Sequence, residues 1–238
     1  MHKLIVQSAT YRQSSVTRPE VQQRDAGNLL LARQSRVRLS GELVRDSALQ
    51  VSGLLNPAIG GRSIKPPQPQ GVAALGYSPV KWEDSPGMEK YRRGLYIHFQ
   101  RTTPYPMLMN FDMPDSVTTC TRRQRSNTPL QALNLLNDPV FLEAAQALAI
   151  KLVRERPSDV TGRISRAFEF ALGREATSRE KDRLAGYYEQ QRRIFEKDPR
   201  AAEAVFPAHL EGVPTVEGAT WVAVARTVLN LDEFMTRE

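Results

Sequence analysis

The sequence has few of the residues that build metal and redox sites. It contains one cysteine, Cys120, among 238 residues, which excludes a disulfide within the chain and a Cys-x-x-Cys-His haem-attachment motif. Its three histidines are His2, His98 and His209, and no two of them have the i,i+4 spacing of a zinc site. We therefore expect no metal site, and we expect His98 to be a hydrogen-bonded structural residue.

Long apolar runs are also missing. No stretch of about 18 apolar residues occurs, so we expect no membrane-spanning helix. The apolar run near the N-terminus is too short for a signal peptide, and no small-residue cleavage site follows it. Residues 2–13 instead have the spacing of an amphipathic helix, as though Met1 lay inside a longer protein. We expect residues 1–238 to form one domain, the C-terminal fragment of a larger protein.

The common catalytic motifs are absent as well. Nucleophile elbows, phosphate-binding loops and dinucleotide fingerprints do not occur, and Gly60-Gly61 indicates only a turn. Cys120 would need an adjacent base to act as a nucleophile, and a buried structural cysteine is the more common case. Asp112 and Asp115 suit paired catalysis or calcium, but two acids on one loop more often cap turns and form ion pairs. The sequence predicts no catalytic residue and favours a non-catalytic role.

Charge is plentiful but unevenly placed. Residues 1–128 hold 18 Lys and Arg against 9 Asp and Glu, a net charge of +9, whereas residues 129–238 hold 15 against 17, a net charge of −2. A basic first half favours an anionic partner or an acidic neighbouring domain. The alternative is a solvated arginine-rich surface with internal ion pairs.

The pattern of the chain predicts a mainly α fold. Residues 1–55 are expected to be helical, residues 56–127 to form a long irregular Pro/Gly-rich strap with short strands, and residues 128–238 to be helical again. Trp82 and Tyr77 are expected to pin the strap by burying aromatic area.

One small two-stranded β element is predicted within this helical domain. Residues 94–101 alternate apolar and polar side chains and are expected to pair with residues 117–120. The Pro-rich residues 102–116 between them and residues 198–216 are expected to be irregular.

The helix starts carry the strongest local signals. Thr128 before a proline is expected to cap a helix, with Gln131 closing a capping box. Asp138, again before a proline, is expected to cap the next helix. Thr177 and Glu180 form a second capping box that opens a long polar helix. These residues are interpreted as structural caps.

An arginine cluster is the one candidate binding site. Guanidinium groups suit carboxylate, sulfate or phosphate groups, and three of these arginines precede the positive end of the helix that begins after Thr128. The alternative is that Asp112, Asp115 and Glu143 neutralise the cluster internally. The candidate residues are Arg92, Arg93, Arg101, Arg122, Arg123 and Arg125.

Six phrases of the sequence together resemble one known family. The family is the planctomycete-specific domain of unknown function numbered fifteen fifty-three, and the resemblance extends over nearly the whole chain. The phrases are HKLIVQSATYRQSS (2–15), SGELVRDSALQVSGLL (40–55), RRGLYIHFQRTTPYPMLMNFDMPD (92–115), TRRQRSNTPLQALNLLNDPVFLEAAQALA (121–149), ALGREATSRE (171–180) and ARTVLNLDEF (225–234).

The resemblance implies a setting but no reaction. Proteins of this family end in this domain, often carry a cytochrome-c-like module, and look exported to the periplasm or cell envelope. Any haem is therefore expected on an upstream module, with no cofactor in this chain. The family has no established catalytic residues to transfer to this sequence.

Three functions remain open from the sequence. The first is a non-catalytic interaction domain that docks on the upstream domains of its parent protein or on an envelope partner. The second is binding or processing of an anionic polysaccharide, sulfated or rich in uronic acid, through the arginine cluster. The third is nucleic-acid binding, which is suggested only by a pI of about 9.7 and lacks a recognition motif.

Overall fold

The predicted mainly α fold is confirmed. The structure is a computed structural model that describes residues 1–69, 71–72, 82–115, 117–154, 159–207 and 212–237. These residues form α-helices together with one small antiparallel sheet. The helices are α1 (His2–Gln7), α2 (Pro19–Arg24), α3 (Gly41–Ser52), α4 (Pro106–Asn110), α5 (Pro129–Asn137), α6 (Pro139–Arg154), α7 (Val160–Leu172), α8 (Ser178–Lys197), α9 (Pro199–Val205), α10 (Thr215–Leu229) and α11 (Asp232–Met235).

The two-stranded sheet lies elsewhere than predicted. It joins β1 (Val37–Arg38) to β2 (Thr236–Arg237), near the two ends of the chain. Residues 94–96 form a short 3-10 helix instead of a strand, and residues 117–120 form no strand. The predicted strands between residues 56 and 127 are therefore wrong.

A distant side chain explains why residues 94–101 do not form a strand. The N–H of Gly94 donates to Asp46 Oδ1 at 2.6 Å, and this bond holds the chain against α3 in a 3-10 turn. After the turn, Ile97 makes only an isolated bridge with Ile64. Of the alternating apolar residues, Ile97 packs against the core whereas Leu95 is exposed, so the alternation does not reflect pairing with a second strand.

Two short helices occupy segments that were expected to be irregular. Pro106 begins α4 and Pro199 begins α9, because proline suits the first position of a helix. Asp198 caps α9 by accepting from the N–H of Ala201 at 3.1 Å. The sequence indicated only that these two proline-containing segments would be irregular.

The core lies where α10 packs against α6 and α8, with α3 on the other side of α6. Residues 218–225 of α10 are all buried, so this helix is enclosed by its neighbours. The ring of Trp221 lies 4.9 Å from that of Tyr188 on α8. Gly218 allows Phe206 to approach, because a Cβ at this position would lie 2.4 Å from the phenyl ring.

The predicted caps lie at the starts of their helices. The N–H of Thr128 donates to Gln131 Oε1 at 3.3 Å before α5, and Asp138 accepts from the N–H of Val140 at 3.0 Å before α6. Before α8, Thr177 Oγ1 accepts from the N–H of Glu180 at 3.3 Å. Two helices therefore meet at a corner at residue 138.

The strap is held by aromatic contacts and hydrogen bonds. Trp82 Nε1 donates to the carbonyl of Pro66 at 2.9 Å, and its ring stacks 6.0 Å from that of Tyr105. The buried Tyr105 hydroxyl donates to the carbonyl of Pro67 at 2.9 Å. The predicted role of Tyr77 falls outside the described residues.

The N-terminal segment (residues 1–34) differs from the rest. Neither α1 nor α2 has a buried residue. The N–H of Gln34 donates to the carbonyl of Ser14 at 3.0 Å, which ties the two ends of a loop together. Large apolar side chains are exposed along the segment: Met1, Leu4, Ile5, Val6, Tyr11, Val16, Leu29, Leu30 and Leu31.

No helix among the described residues has both the length and the apolar content needed to cross a membrane.

Candidate anion-binding site

The structure separates the six candidate arginines. Arg92 is buried and lies 3.6 Å from Glu89, whereas Arg93 is half-exposed and lies 3.4 Å from Asp46 of α3. Arg122, Arg123 and Arg125 lie together on one exposed loop. Arg101 is exposed and lines neither of the depressions described below.

Arg92 fastens the strap. Its guanidinium donates to the carbonyl of Arg62 at 2.9 Å, to that of Ala58 at 3.3 Å and to that of Gly60. It also lies over the ring of Tyr96, at 4.1 Å from the ring centroid. The donors of Arg92 are thus used by the chain itself, which removes this residue from an open anion site.

Arg45 of α3 is the most deeply buried charge and was not among the six candidates. Its side chain is 0% exposed and donates to the carbonyls of Arg92 at 2.7 Å and Lys90 at 2.6 Å. Asp46 lies 3.9 Å away. Burial lowers the pKa of the Arg45 guanidinium, and the nearby charges of Tyr105 and Asp46 partly oppose that shift. Arg45 therefore joins α3 to the middle of the strap, at residues 90–92.

Asp46, the next residue of α3, forms a second link to the strap. It accepts from the N–H of Gly94 and, at 3.4 Å, from Arg93 Nε. Burial raises the pKa of Asp46, and this outweighs the hydrogen bond from Gly94 and the charge of Arg45. Arg93 therefore has an internal partner as well.

A second network shapes the loop before α5. Asp112 pairs with Arg38 and accepts from both the N–H and the hydroxyl of Ser126 at 2.8 Å. Gln131 Nε2 donates to Ser126 Oγ at 3.1 Å and to the carbonyl of Asn110 at 2.9 Å. Partial burial raises the pKa of Asp112, but the Ser126 bonds and Arg38 outweigh it and lower the pKa below its usual range.

Arg123 pairs with Glu42 at the start of α3. Its guanidinium lies 2.8 Å and 2.9 Å from the two carboxylate oxygens. Burial raises the pKa of Glu42, but backbone hydrogen bonds and Arg123 outweigh it, so the pKa lies below its usual range.

The acids that neutralise the candidate arginines differ from those proposed in the sequence interpretation. Asp112 binds Arg38, and Glu143 binds Lys90 at 2.9 Å. Asp115 accepts from the N–H of Val117 at 2.9 Å and so caps its own turn. The acids that do pair with the candidates come from α3 and the strap, because the fold brings these elements against the arginines.

Of the candidate arginine cluster, the loop around Arg122 and Arg125 is the part that is open to a ligand. Both are exposed, and within the described part of the chain neither has an acidic partner. Residues 122–126 line a depression of about 740 Å³. A second depression of about 500 Å³ shares residues 122–124 and adds the hydroxyls of Thr118, Thr119 and Thr121.

The chemical groups on this loop are of the type that suits an anion. Two unpaired guanidinium groups supply charge and several donors in a fixed plane, and the neighbouring hydroxyls can donate as well. Cys120 lines the second depression and is exposed, contrary to the expectation that it would be buried. Exposure follows from its place on an open loop between Asp115 and α5.

Two further sequence candidates have structural contacts. His98 Nδ1 lies 3.4 Å from Ser63 Oγ, and its ring lies 6.4 Å from that of Trp82. Within the described ranges, no three His, Cys, Asp or Glu side chains come together as a metal site would require. His209 lies outside those ranges.

Asp138 is a buried acid that the sequence identified only as a cap. Burial raises its pKa to about 6, and this outweighs the bonds from the N–H of Val140 and the amide of Asn134 and the charge of Arg45. Burial likewise raises the pKa of Tyr105 well above its usual value. Both groups lie beside Arg45 in the interior.

The sequence also matches a known protein family, in agreement with the resemblance noted above. The model of that family, described as PSD1, protein of unknown function (DUF1553), matches residues 1–188. Among curated proteins and among solved structures, nothing matches the chain.

Proposed function

The chain belongs to the PSD1 family of proteins of unknown function, and from that premise we propose that it is a non-catalytic interaction domain. Its partner is the upstream part of a larger exported protein that also carries a cytochrome-c-like module. The observation that carries this proposal is the apolar surface of the N-terminal segment.

That surface has the features of an unfilled interface. In α1, Leu4, Ile5 and Val6 are exposed, and the helix has no buried residue. A six-residue helix without a buried residue gains little stability from its own hydrogen bonds. Exposed apolar residues that cluster along one segment mark a site of association, whereas single ones need no explanation.

The use of the buried charges also supports a non-catalytic role. Arg45 and Arg92 direct their donors at backbone carbonyls, and Asp46 accepts from the backbone of Gly94. Because these charged side chains form hydrogen bonds within the chain, they hold the strap in place and are not available to a substrate.

Co-purification tests the proposal. We expect this chain and the upstream part of its parent protein, expressed separately and mixed at micromolar concentration, to elute as a complex in size-exclusion chromatography. Two separate peaks at those concentrations would contradict the proposal.

A second function is favoured by the depression at residues 122–126. Arg122 and Arg125 are exposed and unpaired among the described residues, and sulfate and carboxylate groups match the guanidinium fork. We propose binding of an anionic polysaccharide, sulfated or rich in uronic acid, at this loop. Arg101 does not line the depression, whereas Arg123 reaches it while paired with Glu42.

Glycan binding separates this second function from the first. We expect the double change Arg122→Ala and Arg125→Ala to lower affinity for a sulfated oligosaccharide by about tenfold or more. The matched control is Arg179→Ala with Arg183→Ala, two exposed arginines on α8. If the two double variants bind the sulfated oligosaccharide with equal affinity, binding at this loop is contradicted.

A further inference from the structure

Three consecutive leucines, residues 29–31, form an exposed apolar turn that we call the leucine tip. Leu29, Leu30 and Leu31 are 86%, 82% and 57% exposed. Three consecutive leucines in water form a continuous apolar surface, and such surfaces are rare on soluble proteins unless something covers them.

The leucine tip has a defined backbone. The two carboxylate oxygens of Asp25 accept from the N–H groups of Leu29 and Leu30, each at 2.8 Å. The side chain of Asn28 donates to the carbonyl of Arg33 at 2.8 Å and accepts from its N–H at 3.2 Å. Polar side chains therefore fix the shape of the turn, while its leucine side chains are largely exposed.

This shape has a conformational cost. Asn28 and Leu31 have φ values of +52° and +53°. Asparagine tolerates this left-handed region, but leucine rarely adopts it. Because polar side chains already hold the backbone of this turn, less backbone entropy is lost when a partner binds it.

The N-terminal segment that carries the leucine tip is basic. Residues 1–34 hold five Lys and Arg against two Asp and Glu, whereas Arg36 and Arg38, which follow, pair with Asp232 and Asp112. Arg12 and Arg24 are exposed, and neither has an acidic partner in the part of the chain that the structure describes. One of the two acids, Asp25, is already occupied by the turn. A surface that covers the tip is therefore expected to carry negative charge around an apolar centre.

We propose that the leucine tip is an anchor that enters an apolar pocket, rimmed by carboxylates, on the protein partner. This proposal rests on the proposed interaction function and names the residues and the chemistry of its contact. Leu30 fills the pocket, because it is at the centre of the tip, and Arg12 and Arg24 pair with the carboxylates of the rim.

A protein pocket fits better than an anionic membrane. The Asp25 carboxylate lies directly beneath the tip, hydrogen-bonded to its backbone. Insertion of the leucines into a bilayer would bring this carboxylate among anionic headgroups and next to hydrocarbon, which is costly. A second copy of the chain fits poorly as well, because the basic surfaces of two copies would repel each other.

The test measures binding to the purified upstream part of the parent protein by titration calorimetry. We expect Leu30→Asp to weaken the dissociation constant by about tenfold or more. The matched control is Leu130→Asp on α5, a leucine that is 55% exposed, and we expect it to change the constant by less than about twofold. We also expect Arg24→Glu to weaken binding and to reduce its salt dependence.

The outcomes separate the two proposals. If the wild-type chain binds and Leu30→Asp binds equally well, the anchor is overturned while the interaction function stands. If the wild-type chain forms no complex, both fail. Binding to vesicles of anionic phospholipid, or self-association in sedimentation, that is lost in Leu30→Asp would also overturn the anchor. Circular dichroism of each variant confirms that the fold persists.

Discussion

The N-terminal segment and the rest of the chain use the same residue types in opposite ways. In the segment, leucines are exposed and Asp25 serves only to brace a turn. In the described part of the body (residues 37–237), core leucines such as Leu148 and Leu152 are fully buried, and even charged side chains such as Arg45 and Asp138 are enclosed. The body therefore has a buried core, whereas the described helices of the segment bury no residue. The predictions below compare matched residues from the two regions.

The largest difference is expected between two arginines. Arg45→Ala should lower the free energy of unfolding by about 3–5 kcal/mol, because it leaves two buried carbonyls without a donor and Asp46 without a buried countercharge. Arg24→Ala, at an exposed position of α2, should change it by less than about 0.5 kcal/mol. Urea unfolding measures both values.

A small loss for Arg45→Ala would contradict the account of the strap. A loss below about 1 kcal/mol would mean that water replaces the guanidinium at no great cost. In that case the link between α3 and the carbonyls of Lys90 and Arg92 would not be a main support of the fold.

Two leucines make the second pair. Leu148→Ala, in the centre of α6, should cost about 2–5 kcal/mol, because it removes a fully buried side chain and leaves a cavity. Leu30→Ala should cost less than about 0.5 kcal/mol in the isolated chain. Thermal or urea unfolding distinguishes them, and equal losses would mean that the leucine tip is packed in solution.

The third prediction concerns pH. The pKa of Asp138 is raised from 3.8 to about 6 in the folded chain, so the folded state binds more protons than the unfolded state between these values. The contribution of this group to stability is complete below about pH 4 and is lost as pH rises through about 6. For a group this buried the loss is roughly 1–3 kcal/mol.

Asp138→Asn tests this sign. The amide is neutral at every pH and can still accept from the N–H of Val140, so the variant should not lose stability between pH 4 and pH 6. The measurement is the difference in unfolding free energy between variant and wild type across that range, which cancels the other titrating groups. A difference that stays constant with pH would show that Asp138 is ionised in the folded chain throughout.

Much of the fold could be predicted because its signals are local. Gly53, left-handed at the end of α3, and the capping box of Thr177 and Glu180 involve residues within one turn of each other. The wrong prediction of a strand at residues 94–101 arose because a distant contact, and not a local signal, decides the structure there. Its alternation was read correctly, but its first N–H is taken by Asp46, 48 residues earlier in the chain.

The site was harder to predict for the same reason. The sequence identified clusters of arginine but not which of them would be buried. The partners of Arg45 are backbone carbonyls 45 and 47 residues later. Because every residue has a backbone carbonyl, the sequence does not indicate which ones will be partners. The signal that existed was its position beside Val44 in the apolar stripe of α3. The sequence did not indicate that the leucines of the tip would be exposed, since an apolar run usually predicts burial.

The central claim is that the N-terminal segment is an interface, and the most direct measurement is hydrogen exchange of the chain alone and with the upstream part of its parent protein. We predict that the amides of residues 2–7 exchange rapidly in the chain alone and are protected in the mixture, while those of α6 and α10 are protected in both. Unchanged rapid exchange of residues 2–7 in the mixture would contradict the claim.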